Sequence, residues 1–126
     1  EIDAYFSTYA DVDIALDAFP YNGATTTCDA LLMGVPVATI AGDRAIARGG
    51  KSLLGVLGLD DWIAESHEAL VPMLQRLTAD PKHVATLRAE LPQRMRTSPL
   101  MDGPRFARGV EAVFRDAWRK ACEAAA

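Results

Sequence analysis

A chain of 126 residues, half of them hydrophobic and 24% charged, has the makeup of one folded domain and not of a disordered segment. Its formal net charge of −4 argues against a nucleic-acid-wrapping or anionic-membrane surface, since both need a basic excess. No apolar run reaches the roughly 18 residues of a membrane helix, and no signal-type segment opens the chain.

In chain order, Asp3 to Ala10 reads as a short helix or turn with Tyr5, Phe6 and Tyr9 as anchors. Val12 to Phe19 is a near-continuous apolar run of strand length, the pattern of a parallel strand covered on both faces. Pro20 to Ala24 is breaker chemistry and reads as a loop. Thr25 to Met33 has helical spacing and Gly34 stops it. Val35 to Ile40 is a second buried strand, Arg44 to Leu57 a helix weakened by Gly49-Gly50, and Trp62 to Ala64 a short third strand.

The rest is helical. Ser66 caps a helix whose apolar face is Ala69, Leu70, Met73, Leu74 and Leu77. Asp80-Pro81 starts the next, which runs to about Thr97 with Pro92 as a candidate kink. Ser98-Pro99 breaks it, and Asp102-Gly103-Pro104 opens the last helix. Its stripe of Phe106, Val110, Val113, Phe114, Ala117, Trp118 and Ala121 is expected to pack on the domain. Strands alternating with helices predict an α/β fold with a right-handed parallel sheet. So few strands make a poor sheet, and Glu1 is not an initiator methionine; the expectation is a domain incomplete at its N-terminal side.

The chemistry concentrates where the first strand ends and the next helix begins, at Phe19-Pro20-Tyr21-Asn22-Gly23-Ala24-Thr25-Thr26-Thr27-Cys28-Asp29. Open α/β sheets bind ligands in that crevice. A helix N-terminus offers unpaired N–H groups and about half a positive charge, which favours phosphate. Gly23 lets backbone approach a ligand, and Thr25 and Thr26 add hydroxyls. Asp29, four residues beyond Thr25, lies on the same face ~6 Å along the helix, placed to accept bonds from ribose hydroxyls. The competing reading is structural: Thr25 and Thr26 cap the helix, and Asp29 is solvated or locally paired.

Other signals are weaker. Cys28 and Cys122 lie far apart with no C-x-x-C, so zinc-ribbon and thioredoxin readings fail and a reducing cytoplasm fits. His67 and His83 form no metal motif and read as exposed. No metal or other cofactor is expected. Gly50-Lys51-Ser52 imitates the end of a phosphate-binding P-loop, but Ala45 stands where that motif needs glycine. Asp13 and Asp17 would lie ~13 Å apart along a strand, too far for a glycosidase pair. Asp17 is expected to bond loop amides beneath the Asn22-Gly23 turn. Arg44, Arg48 and Lys51 follow the second strand and read as paired or solvated surface, with assistance to an anion as the alternative.

The run DIALDAFPYNGATTTCDALLMGVPVATIAGDRAIARGGKSLLGVLGLDDWIA, together with the later SPLMDGPRFARGVEAVFRDAW, resembles the C-terminal catalytic region of the O-linked N-acetylglucosamine transferase family, which includes the SPINDLY-like and tetratricopeptide-repeat glycosyltransferases. The resemblance runs from about Tyr5 to Lys120. It implies part of the C-terminal, Rossmann-like, sugar-nucleotide-binding half of a GT-B glycosyltransferase. It also implies a UDP-sugar donor, UDP-N-acetylglucosamine, and inverting transfer to protein Ser or Thr hydroxyls without metal. Residues 24–26 (Ala24, Thr25, Thr26) match the segment that contacts the diphosphate, and Asp29 matches the ribose ligand. Animal members carry histidine at the position of Ala24, so only a backbone contact carries over there.

The family's diphosphate-binding lysine, uracil-contacting segment, proposed catalytic histidine and acceptor-binding repeats match nothing in this chain. No catalytic residue is therefore assigned. Weak donor binding without turnover is the expectation, with a protein acceptor held by upstream repeats. The alternative is a non-catalytic Rossmann-like binding or interaction module.

Overall fold

The computed structural model describes residues 2–125. The order is α1 (Ile2–Ser7), β1 (Ala15–Leu16), α2 (Thr25–Leu32), β2 (Val37–Ile40), α3 (Gly49–Val56), β3 (Ile63–Ala64), α4 (His67–Thr78), α5 (Pro81–Arg96) and α6 (Gly103–Ala124). The strands form a parallel sheet in the order β1-β2-β3, with Ala15 opposite Val37 and Thr39 opposite Ile63. Their carboxyl ends therefore share one edge. The expected α/β parallel sheet with flanking helices is what the chain forms.

The middle strand explains the core. All four residues of β2 are buried, as a central parallel strand requires. α3 and α4 lie against β2, and α2 packs on α5. Leu31, Leu54 and Leu91 are fully enclosed among these helices, and each such leucine stabilises the fold by about 1.5–3 kcal/mol. Helix α2 ends in a Schellman motif: Val35 N–H donates to Ala30 C=O at 2.8 Å and Gly34 N–H to Leu31 C=O at 3.2 Å. Gly34 has φ +79°, and a Cβ there would meet the Arg88 carbonyl oxygen at 2.7 Å. Glycine is thus needed both for the turn and for the approach of α5.

Four expectations need correction. The first strand is much shorter than Val12–Phe19, and Leu16 is 64% exposed. Among the described residues β1 pairs with β2 only, so its other edge is unpaired and Leu16 lies open. The helix expected over Arg44–Leu57 begins at Gly49, after a 3₁₀ turn at Ala45–Ala47. Gly49-Gly50 start this helix instead of weakening it. The third strand is Ile63–Ala64, with Trp62 in the preceding 3₁₀ turn.

The largest departure is α6. Its stripe does not pack on the domain: Phe106, Phe114 and Trp118 are each 70–72% exposed, and the helix has no buried residue. Periodicity makes a face apolar, but a neighbouring surface must exist to cover it.

The predicted caps form. Ser66 Oγ accepts from the Ala69 amide at 3.2 Å, and Asp80 Oδ1 from Lys82 N–H at 2.9 Å, with Pro81 in the first turn. Among the described residues no helix is long and apolar enough to cross a membrane.

Candidate donor-binding cleft

The loop after β1 opens a cleft of about 530 Å³. Its floor is Ala15, Leu16, Ala30 and Val37, and its rim is Tyr9 and the segment from Tyr21 to Thr27. Ala24, Thr25 and Thr26 all line it.

The rim is built on Asp17, the residue after β1. Asp17 Oδ1 accepts from the Gly23 amide at 2.7 Å, and Oδ2 accepts from the Thr39 hydroxyl at 2.8 Å. The expectation that Asp17 bonds loop amides beneath the Asn22-Gly23 turn holds. Asn22 is buried and ties the loop a second time: its Nδ2 donates to Ala18 C=O at 2.9 Å and its Oδ1 accepts from the Gly50 amide at 3.3 Å. Asn22 N–H donates to Ile46 C=O at 3.1 Å. The loop is thereby fastened to β2, to the 3₁₀ turn and to the start of α3.

Helix α2 starts at the closed end of this loop. Its first backbone bond runs from Cys28 N–H to Ala24 C=O at 3.0 Å. The amides of the first turn have no partner within the helix, and Ala24, at the N-cap, provides no side-chain cap. Thr25 and Thr26 stand inside the helix, one and two places past the cap, so the reading of them as capping residues is corrected. Thr27 is buried, whereas Thr25 and Thr26 are exposed on the cleft side. The result is a row of amides and hydroxyls facing an open space at the carboxyl edge of a parallel sheet, a setting that suits an anion.

Asp29 stands apart from the rim and is not among the residues lining the cleft. Its Oδ2 accepts from the Tyr5 hydroxyl at 3.1 Å, and Tyr5 and Tyr9 share a bond at 2.8 Å. Tyr9 reaches the cleft, so the tyrosine pair links Asp29 to it. The Tyr5 phenol is held above its ordinary pKa, first by the bond with Tyr9, then by burial and by Asp29. Partial burial, and then the Asp29 charge, push the Cys28 thiol up, so it stays protonated and a poor nucleophile.

The remaining candidates lie elsewhere. Arg48 donates to Gly42 C=O at 2.8 Å, and Lys51 pairs with Glu65 at 3.4 Å. Both are engaged locally, as the surface reading expected. His67 and His83 are exposed; the His67 ring meets Phe19 edge-on, with centroids 4.6 Å apart. Sequence reasoning overlooked Thr39, the Asn22 side chain and Tyr9. One signal for Thr39 was present: a hydroxyl inside an otherwise apolar strand needs a partner.

Residues 8–110 match the family described as glycosyl transferase family 41. The chain belongs to that family. This family 41 chain is 41% identical over 119 residues to a protein of Oryza sativa subsp. japonica described as a probable UDP-N-acetylglucosamine–peptide N-acetylglucosaminyltransferase SPINDLY. It is 39% identical to the Solanum lycopersicum protein of the same description. Each match takes in 94% of this chain and 13% of the relative. Among solved structures, a lysine-to-methionine mutant of the Thermobaculum terrenum O-GlcNAc transferase superposes with a TM-score of 0.88 at 36% identity. That match covers 98% of the family 41 chain and 24% of the other. The family 41 chain thus has the fold of part of a GT-B catalytic region and spans a small fraction of the length of these relatives.

Proposed function

We propose that this chain is the part of a glycosyltransferase that holds the diphosphate and ribose of a UDP-sugar, UDP-N-acetylglucosamine by analogy with the named relatives. The uncapped first turn of α2, open to the cleft at the sheet's carboxyl edge, carries the proposal. The diphosphate oxygens would accept from the amides at Thr25, Thr26 and Ala24 and from the two threonine hydroxyls. A helix terminus supplies only about half a charge against a diphosphate near −2, so affinity of the chain by itself would be modest. Asp29 would take the ribose hydroxyls in place of the Tyr5 phenol.

In this reading the sugar passes with inversion to a Ser or Thr hydroxyl of a protein acceptor. The proton-accepting group and the acceptor-binding repeats would be supplied by segments upstream of residues 1–126. The unpaired edge of β1, the end strand of the sheet among the described residues, supports a sheet that continues on that side. Free thiols at Cys28 and Cys122 support a reducing, cytoplasmic setting.

Calorimetric titration with uridine diphosphate tests the proposal. Binding should saturate and weaken about tenfold in Thr26→Ala and in Asp29→Ala, the cost of one hydrogen bond to a charged group in each. Tight binding indifferent to both substitutions would refute these roles.

A further inference from the structure

We propose that Asp17 is a positioning residue of the donor cleft: by holding the Gly23 amide and the Thr39 hydroxyl together, it sets the 17–24 loop so that the first turn of α2 opens toward the ligand. The proposal rests on the donor reading above and adds to it a residue that does not touch the donor.

Three observations carry it. Both carboxylate oxygens are occupied, Oδ1 by Gly23 N–H at 2.7 Å and Oδ2 by the Thr39 hydroxyl at 2.8 Å. Thr39 lies in the fully buried middle strand β2, so the loop is anchored to the centre of the sheet. The contact is close on every side. A Cβ on Gly23 would lie 2.7 Å from Thr26 Oγ1, 2.8 Å from Thr27 Oγ1 and 3.2 Å from Asp17 Oδ1. A Cβ on Gly50 would run into Asp17 Oδ2 and Thr39 Oγ1. Gly23 is thus pinned between Asp17 and the threonine hydroxyls of α2.

The charge of Asp17 makes the arrangement informative. A carboxylate near a diphosphate site repels the ligand, so its presence is not explained by attraction. With both oxygens committed to loop and strand, it is also badly placed to accept a proton from the cleft. Fixing a loop in advance lowers the ordering cost that binding must meet. Two charge-assisted bonds from one carboxylate do this more strongly than neutral ones.

The side-chain exchange separates position from charge. In Asp17→Asn, Oδ1 can still accept from Gly23 and the amide NH₂ can donate to Thr39, whose hydroxyl turns to accept. Asp17→Ala loses both bonds. Thr39→Val loses one and leaves Gly23 held.

Two readouts are taken on the wild-type chain and these variants, with melting temperature recorded throughout. One is amide hydrogen exchange at Gly23 without ligand; the other is calorimetric titration with uridine diphosphate. The wild-type Gly23 amide should be the most protected in the 18–24 loop. Asp17→Ala should lose that protection and weaken binding about tenfold or more, the effect of losing a hydrogen bond to a charged group. Asp17→Asn should retain protection and hold or tighten binding. Thr39→Val, which frees Asp17 from β2 but leaves its bond to Gly23, should reduce protection and affinity by less than Asp17→Ala does.

Fast exchange at wild-type Gly23 overturns the proposal without any variant, so a misfolded Asp17→Ala does not leave it undecided. Affinity that follows melting temperature across the set overturns it, because a merely structural role predicts that. Asp17→Asn as damaging as Asp17→Ala overturns it in favour of a charge role. Protection at Gly23 with no binding of uridine diphosphate by the wild type overturns the donor reading itself, and with it a donor role for Asp17.

Discussion

Two tryptophans set the halves of this molecule against each other. Trp62 lies before β3, 2% exposed among Leu59, Leu77 and Leu87; Trp118 lies on α6, 72% exposed. Trp62 opens a three-residue apolar stretch, and Trp118 belongs to a seven-residue apolar stripe. Around Trp62, the sheet, α4 and α5 converge, and each apolar group removes another from water. Along α6, Phe106, Val113, Phe114 and Trp118 form a regular face that meets no partner among the described residues. Amphipathicity states what a helix can bury, and tertiary contact decides whether it does.

Unfolding measurements can break that contrast. Trp62→Ala should cost about 3–5 kcal/mol in urea, since a large enclosed ring leaves a cavity. A loss below ~1 kcal/mol would show that the core around β3 is loose. Gly50→Ala comes next. Its new Cβ runs into Thr39 Oγ1 and Asp17 Oδ2, and overpacking of this kind costs about 1–3 kcal/mol. Differential scanning calorimetry should show the drop; an unchanged melting temperature would mean that the loop and α3 are not locked together.

Smaller effects sharpen the comparison at the surface. Ser66→Ala should cost about 1 kcal/mol by removing the cap of α4, readable as a shift in the urea midpoint. The same cap lowers the pKa of the exposed Glu68 carboxyl, first through the Ser66 hydroxyl and then through the Glu68 amide. That contribution is fully present above the ordinary carboxylate range and fades as pH falls through the lowered value. The acid limb of the stability profile should therefore be shallower in Glu68→Gln. Smallest of all, Trp118→Ala should change stability by less than about 0.5 kcal/mol, as an exposed site without partners does. A loss near that of Trp62→Ala would mean that α6 is covered in solution.

The candidate cleft was partly legible in advance. Gly23, Thr25 and Thr26 announce a loop running into a helix start, because glycine and short hydroxyl side chains favour such junctions, and the structure puts Thr25 and Thr26 on the rim of an open cleft. The bond from Asp17 to the Gly23 amide was also readable, six residues away in the same loop. Its second bond, to Thr39, spans 22 residues and could not be read locally. Nor could the position of Asp29, since helical spacing fixes its face but not that Tyr5 reaches it.

The sequence by itself determined the alternation of strands and helices, the caps at Ser66 and Asp80, the stop at Gly34 and the kinship carried by the NGATTTCDALLMGVPV run. These depend on chemistry within a few residues, or on a pattern dense enough to be shared. Only the tertiary structure decided that β1 is a short open edge, that Gly49-Gly50 begin α3, that Asp17, Asn22, Thr39 and Gly50 lock one loop, and that the face of α6 is left uncovered by the other described residues. Each of those outcomes depends on which surfaces meet, and residues distant in the chain meet only when the whole fold brings them together.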